Sequence, residues 1–255
     1  MTADLPAVAL SVAMAIAAGL VGCFAVMRRM TLASDAISHV ALPGIAIALL
    51  LHVQPFVGGL VALLLGTLLI WVVESRTRMA TETVIGVVFS GALAVGAMFT
   101  RGEELIEALF GGAGALPGWE LALGLVGAAG VVVFVLGARH QLVLALVSPD
   151  LARSAGVRVE RLSLLYLLAF SFTVALGLRY LGVLLMGSLI IIPAATAKHA
   201  TRSLGSMLAV AVAVAVSSTL VGTALARALQ RETGPVIITV AAGVFFLALL
   251  RRRPR

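Results

Sequence analysis

Asp35, Ser38 and His39 stand in the run Asp35-Ala36-Ile37-Ser38-His39-Val40-Ala41-Leu42-Pro43-Gly44. Offsets of three and four residues place all three side chains on one face of a helix. The surrounding residues are apolar, and an ionisable group inside a bilayer costs about 3 kcal/mol on insertion scales. Counted from Arg29 at the rise of an α-helix, the pair lies roughly 9 to 15 Å into that apolar run. A carboxylate and an imidazole are tolerated there if they bridge each other or another helix, which would make them a fastener. They are equally tolerated facing a watery path, where they form a transient site for a divalent cation. One carboxylate oxygen and one imidazole nitrogen suit zinc, manganese or iron(II), whereas calcium and magnesium take all-oxygen sites. Asp35 and His39 are the candidate metal ligands, with Ser38 as a third neighbour on the same face. Two ligands bind weakly, as a waypoint must, and two copies meeting at a two-fold axis would offer two Asp and two His. Pro43 cannot donate to the helix ladder and Gly44 loosens it, so a bend is expected just beyond the pair.

A second segment, Ser148-Pro149-Asp150-Leu151-Ala152-Arg153-Ser154-Ala155-Gly156, reads as a short polar helix of about two turns in the longest basic loop. Ser148 suits the N-cap, Pro149 the first helical position and Asp150 the positive helix end. Gly156 can close the helix in the left-handed conformation. Such a helix is either an ordinary capped loop or a coupling helix that docks on a partner ATPase. In a third segment, Gly182 to Ala197, the apolar run breaks at Pro193, just before Lys198 and Arg202. A kinked packing helix accounts for it as well as a gate does. His52, His140 and His199 fall at the edges of apolar runs or in loops and are read as incidental.

The elements that must position these groups are membrane spans. The chain has 255 residues, of which 62% are hydrophobic and 11% charged, with a mean hydropathy of +1.17. A soluble domain is nearer half apolar and a quarter charged, so this composition belongs in lipid. Nine apolar stretches are long enough, or nearly so, to cross a ~30 Å core. They lie near 5–27, 32–52, 55–73, 82–100, 119–138, 162–178, 181–197, 204–226 and 235–250. The sixth and seventh are separated only by Arg179-Tyr180. The expectation is therefore an all-α polytopic bundle of eight to nine transmembrane helices with one short cytoplasmic helix, all of residues 1–255 forming a single transmembrane domain. Leu105–Phe110, before Gly111-Gly112-Ala113-Gly114, reads as a half-helix or interfacial segment.

Charge orients the bundle. The formal net charge of +7 comes from 18 Lys and Arg against 11 Asp and Glu. In a soluble chain that would point to nucleic acid, but here the basic residues lie between spans. Asp4 precedes the first run and Arg28-Arg29 follow it, the reverse of a cleavable leader, so the N-terminus is placed outside. Arg28, Arg29, Arg76, Arg78, Arg139, Arg153, Arg158, Arg161, Lys198, Arg202 and the C-terminal Arg251, Arg252, Arg253 and Arg255 then share the cytoplasmic side. Arg101, Arg179, Arg227 and Arg231 fall outside, beside an acidic loop of Glu103, Glu104, Glu107 and Glu120. That loop reads as solvated rather than as a cation funnel. Cys23 is the one cysteine, which excludes an intrachain disulfide or thiolate cluster. Lys198 is the one lysine and follows no GxxxxGK[ST], so a phosphate-binding loop is absent and any ATP hydrolysis belongs to another subunit.

Taken jointly and in order, these segments resemble the permeases of the zinc/manganese/iron ABC importers, the ABC-3 family. The resemblance rests on Arg28-Arg29-Met30…Asp35-Ala36-Ile37-Ser38-His39…Leu42-Pro43-Gly44 and on Thr83…Ile85-Gly86-Val87-Val88-Phe89-Ser90-Gly91-Ala92-Leu93. It continues through Pro149-Asp150-Leu151-Ala152-Arg153…Gly156, Ile191-Ile192-Pro193-Ala194-Ala195-Thr196-Ala197, Thr201-Arg202 and Thr233-Gly234-Pro235. It implies a permease homodimer in the bacterial cytoplasmic (inner) membrane, two cytoplasmic ABC ATPase subunits and an extracytoplasmic metal-binding protein. It further implies that Asp35 and His39 line the translocation path, that Asp150–Gly156 meets the ATPase, and that no cofactor is permanently bound, zinc or manganese being cargo. Lys198-His199 departs from the family's more usual Arg and apolar residue. Three other readings stand beside it: an ABC permease for a metal chelate or siderophore, a proton-coupled secondary carrier using Asp35 and His39 as its relay, and a membrane scaffold.

Overall fold

In lipid, a chain without water to solvate its backbone must satisfy each N–H and C=O internally, and helices do so locally. The computed structural model describes residues 4–30, 33–77, 79–99, 118–181 and 183–250, and its regular structure there is helical. The ten helices are α1 (Asp4–Met27), α2 (Ala33–Leu50), α3 (Pro55–Arg76), α4 (Thr81–Phe99), α5 (Gly118–Val147), α6 (Pro149–Ser154), α7 (Val159–Leu181), α8 (Val183–Ala200), α9 (Leu204–Leu229) and α10 (Thr233–Leu250). Seven of them are long and apolar enough to cross a membrane. The nine expected spans each correspond to a helix, and the short loop helix is α6. The half-helix at Leu105–Phe110, the Gly-rich stretch, Glu103, Glu104, Glu107, Arg78, Arg101 and the C-terminal arginines lie outside the described residues.

Two boundaries differ from the sequence reading. α5 runs on to Val147 rather than stopping near 138, because Arg139, His140 and Gln141 interrupt its hydrophobicity but not its helix-forming side chains. Its 30 residues reach about 45 Å, so the helix projects past the hydrocarbon. Arg179 and Tyr180 belong to α7 instead of separating two spans, and α8 starts at Val183. A methyl group at Gly177 would collide with Met186, nine residues on. In one continuous helix those positions would stand roughly 13 Å apart, so α7 and α8 are separate elements.

The centre is α1, whose Met14, Ala15, Ala18, Val21 and Phe24 are fully buried. It packs against α5, α7, α8 and α9, while α2 packs against α3, α4, α7 and α8. Apolar burial drives little association between helices in lipid, so close backbone approach carries the packing. Gly22 faces the Ile190 carbonyl of α8, and Gly19 the Ala211 carbonyl of α9. Gly44 and Gly58 meet at the α2–α3 crossing, where a Cβ on either would strike the other's carbonyl. Gly44 thus has a packing duty that its reading as a loosener of the ladder did not include.

Replacing Gly22 or Gly58 by Val is expected to lower the thermal unfolding midpoint of the purified protein, overpacking costing about 1 to 3 kcal/mol. Gly137→Val, where a Cβ meets nothing within 4 Å, is expected to leave it in place. Scanning fluorimetry in detergent reads all three.

Candidate functional site

α2 holds the chemistry because both its ends are fixed. The corner before it is built by α1, whose last turn closes with Arg29 in the left-handed region at φ 61°. The Met30 amide donates to the Ala25 carbonyl at 2.9 Å and the Arg29 amide to that of Val26 at 3.3 Å, which satisfies two orphan carbonyls. His52 at φ 55° closes α2 in the same way, with the Val53 amide donating to Ala48 at 2.9 Å. His52 is therefore a helix terminator.

The corner is recessed. Arg28 donates from Nη1 to Ser163 Oγ at 3.3 Å and lies 4.5 Å from the ring centroid of Tyr166. Those partners are four and seven residues into α7, about 6 to 10 Å from its start. Tyr166 is fully buried and donates its hydroxyl to the Val21 carbonyl at 3.0 Å. Burial lowers the pKa of Arg28, while Tyr166 and Glu74 raise it. Glu74 accepts from Thr81 at 2.6 Å, and its other oxygen is buried without a hydrogen bond among the described residues. A residue read as a solvated loop charge thus ties α1 to α7 beside the end of α3. The sequence carried one hint of this, a tyrosine within an apolar helix, since a buried hydroxyl needs a partner.

Asp35 sits in the first turn of α2 and His39 one turn further on. Because α2 begins at Ala33 rather than near Arg29, Asp35 is about 3 Å and His39 about 9 Å along the helix. Ser38 is fully buried. His39 is half-buried and leans on Phe89 of α4, with centroids 5.6 Å apart and planes at 53°. Its Nδ1 is buried and has no hydrogen-bond partner among the described residues, a costly state for a polar atom in hydrocarbon. Pro43 lies inside α2 and has no N–H for the carbonyl of His39, four residues before it. Gly96 of α4 packs directly on Pro43, its would-be Cβ 3.4 Å from the proline nitrogen. Phe89 and Gly96 make α4 the second wall of this site, and neither announces that role in sequence. No group of three or more His, Cys, Asp or Glu able to hold a metal occurs among the described residues. The buried imidazole nitrogen is of a donor type that a borderline cation accepts.

α6 is tied to the bundle at the charged end. Ser148 accepts from the Leu151 amide at 3.3 Å and Ala152 is fully buried. Gly156 has φ 81°, its amide donating to Arg153 at 3.0 Å and that of Val157 to Ala152 at 2.9 Å. Arg153 bonds Asp150 at 3.0 Å and Glu160 of α7 at 2.9 Å. The bond to Glu160, and then its charge, raise the pKa of Arg153. Trp71 of α3 donates Nε1 to the Glu160 carbonyl at 3.0 Å. The six residues Pro149–Ser154 are thus joined through Glu160 to α7 and α3. Pro193 lies within α8, His140 accepts from Arg139 at 3.1 Å, and His199 Nε2 is buried without a partner among the described residues.

Comparison with known proteins matches the ABC 3 transport family over residues 3–252. The chain belongs to that family. Among relatives of this ABC 3 member, a manganese import system permease protein, ScaB of Streptococcus parasanguinis, is 32% identical over 93% of this chain and 86% of its own length. The high-affinity zinc uptake system membrane protein ZnuB of Haemophilus influenzae is 28% identical, with 97% of each chain covered. In structure, the family member resembles PsaBC from Streptococcus pneumoniae in complex with Fab, at a TM-score of 0.82 and 26% identity, covering 98% of this chain and 91% of the other. As an ABC 3 permease it is a multi-span helical membrane protein.

Removing the cap by Ser148→Ala costs about 1 kcal/mol, and Gly156→Ala imposes a left-handed conformation on a Cβ at a similar cost. Each is expected to speed amide hydrogen exchange at Ala152 and Val157 by roughly fivefold. Mass spectrometry of the purified permease measures it, and exchange equal to that of the parent would show that these two residues do not hold α6 together.

Proposed function

We propose that this chain is the membrane-spanning permease subunit of an ATP-driven importer for a divalent transition metal, zinc or manganese, with iron(II) accepted by the same ligand types. The carrying observation is the unpartnered, buried imidazole nitrogen of His39 within an apolar helix of an ABC 3 permease. Asp35 and His39, with Ser38 beside them, form the waypoint on the path, and the metal is cargo held briefly by few ligands. Relatives named for manganese and for zinc agree with a ligand pair that both metals accept.

In this reading the chain forms one permease domain and works as a homodimer in the bacterial inner membrane, its N-terminus outside and C-terminus in the cytoplasm. Support for the orientation comes from the helix ends: Arg28, Arg76, Arg153, Arg158, Arg161, Lys198 and Arg202 flank the ends of α1, α3 and α8, the starts of α7 and α9, and α6. A basic cluster of that kind favours the cytoplasmic side. An extracytoplasmic metal-binding protein delivers the ion, and cytoplasmic ABC ATPases hydrolyse ATP. Their closure pushes on Ser148, Pro149, Asp150, Leu151, Ala152, Arg153 and Gly156, and α7 and α3 receive the push through Glu160. The bend positions Pro43, Gly44 and Pro193 lie on the two helices that then rock.

Vesicles carrying the whole reconstituted transporter test the proposal. Zinc, manganese and iron(II) uptake is expected to require ATP and to fall at least tenfold in Asp35→Asn and in His39→Ala. Unchanged uptake in both variants removes the pair from the mechanism. Uptake that survives ATP depletion but collapses with the proton gradient identifies a secondary carrier instead.

A further inference from the structure

Between α3, α5 and α7 the surface of the bundle opens into a groove of about 670 Å³. Leu65 and Leu68 of α3, Gly130 and Phe134 of α5, and Leu164 and Leu168 of α7 are among its lining residues. Leu65 is 61% exposed and Leu68 43%, and a Cβ on Gly130 would meet nothing within 4 Å. The groove therefore faces outward, toward lipid, and hydrocarbon or a second helix must fill it.

Its dimensions choose between them. Along α7 the lining ends at Phe172, eight residues beyond Leu164, a rise of about 12 Å and close to half of a ~30 Å hydrocarbon core. The groove thus occupies one leaflet, on the side of the bundle that carries Arg161. A spanning helix seated there would run along the whole ~30 Å core, more than twice the length of the groove. A lipid acyl chain, thin and confined to one leaflet, matches that length.

Charge at the mouth specifies the headgroup. Arg161 precedes Leu164 by three residues and Leu168 by seven, so it continues their stripe on α7. Arg76 follows Leu65 by eleven residues and returns to that stripe of α3. Both arginines are exposed. The nearest acidic groups in sequence are engaged, Glu160 with Arg153 at 2.9 Å and Glu74 with Thr81 at 2.6 Å. We propose that this groove is a binding site for one anionic phospholipid, with an acyl chain between α3, α5 and α7 and the phosphate at Arg161 and Arg76. The site is independent of the metal path and of which metal is carried.

Native mass spectrometry tests the site on the intact transporter released from nanodiscs of equal phosphatidylglycerol and phosphatidylcholine. The parent is expected to retain phosphatidylglycerol in preference, one per permease chain. Arg161→Gln with Arg76→Gln is expected to reduce that preference by roughly tenfold or more, each surface arginine contributing about fivefold. Gly130→Phe fills the groove and is expected to displace both lipids, and Gly130→Ala, which fits without contact, should weaken retention less. Equal retention of the two lipids by the parent overturns the proposal, as does retention undiminished in Gly130→Phe. Dissociation of a permease dimer into single chains by Gly130→Phe also overturns it, since the groove would then be a seam between proteins.

Discussion

Every backbone polar group of this protein that lies in hydrocarbon has to find its partner within its own helix, and the rest of the architecture follows from how that demand is met. Helices satisfy it along their length, so the regular structure described is helical throughout. The demand reappears where helices end. Arg29, His52, Gly156 and Gln230 all take positive φ values, and each folds the following amide back onto a carbonyl of the last turn. It reappears again where proline interrupts a ladder. Pro43 does so one turn beyond His39, where it offers no N–H to the i−4 carbonyl.

Those two demands separate the bundle into a packed body and a polar thread. The body is held by backbone approach at Gly19, Gly22, Gly44 and Gly58, because lipid offers apolar surfaces no reason to leave it. The thread begins at α6, passes through Arg153 and Glu160 to α7, and reaches α3 through Trp71. Deeper on α7, Ser163 and Tyr166 hold Arg28, the neighbour of the Arg29 turn between α1 and α2. The corner that precedes Asp35 and the short helix α6 are therefore attached to the same stretch of α7. Movement of α6 relative to the membrane has a bonded route to the start of α2.

Much of the fold was legible because hydropathy reports membrane spans directly. The nine apolar stretches each became a helix, and the alternation of basic loops anticipated which helix ends gather together. Errors fell where a span's edge was judged from charge alone. Arg139 does not end α5, since a long side chain can remain helical while its charged tip reaches water, and the helical backbone of α7 runs on through Arg179. Arg28 showed more than its place in a loop: it is half-buried and lies against Tyr166. Contact across 135 or more residues decided that, and no local pattern encodes it.

The sequence by itself determined the helical class, the span boundaries to within a few residues except at the end of α5, the family, and the shared face of Asp35, Ser38 and His39. All of these depend on composition or on spacing along one chain segment. The tertiary structure alone decided that Phe89 and Gly96 of α4 wall the site, that Gly44 serves a crossing as well as a ladder, and that α6 is anchored through Glu160. These depend on which helix faces which, and in lipid that choice is made by shape complementarity between helix surfaces rather than by the hydropathy that sequence displays.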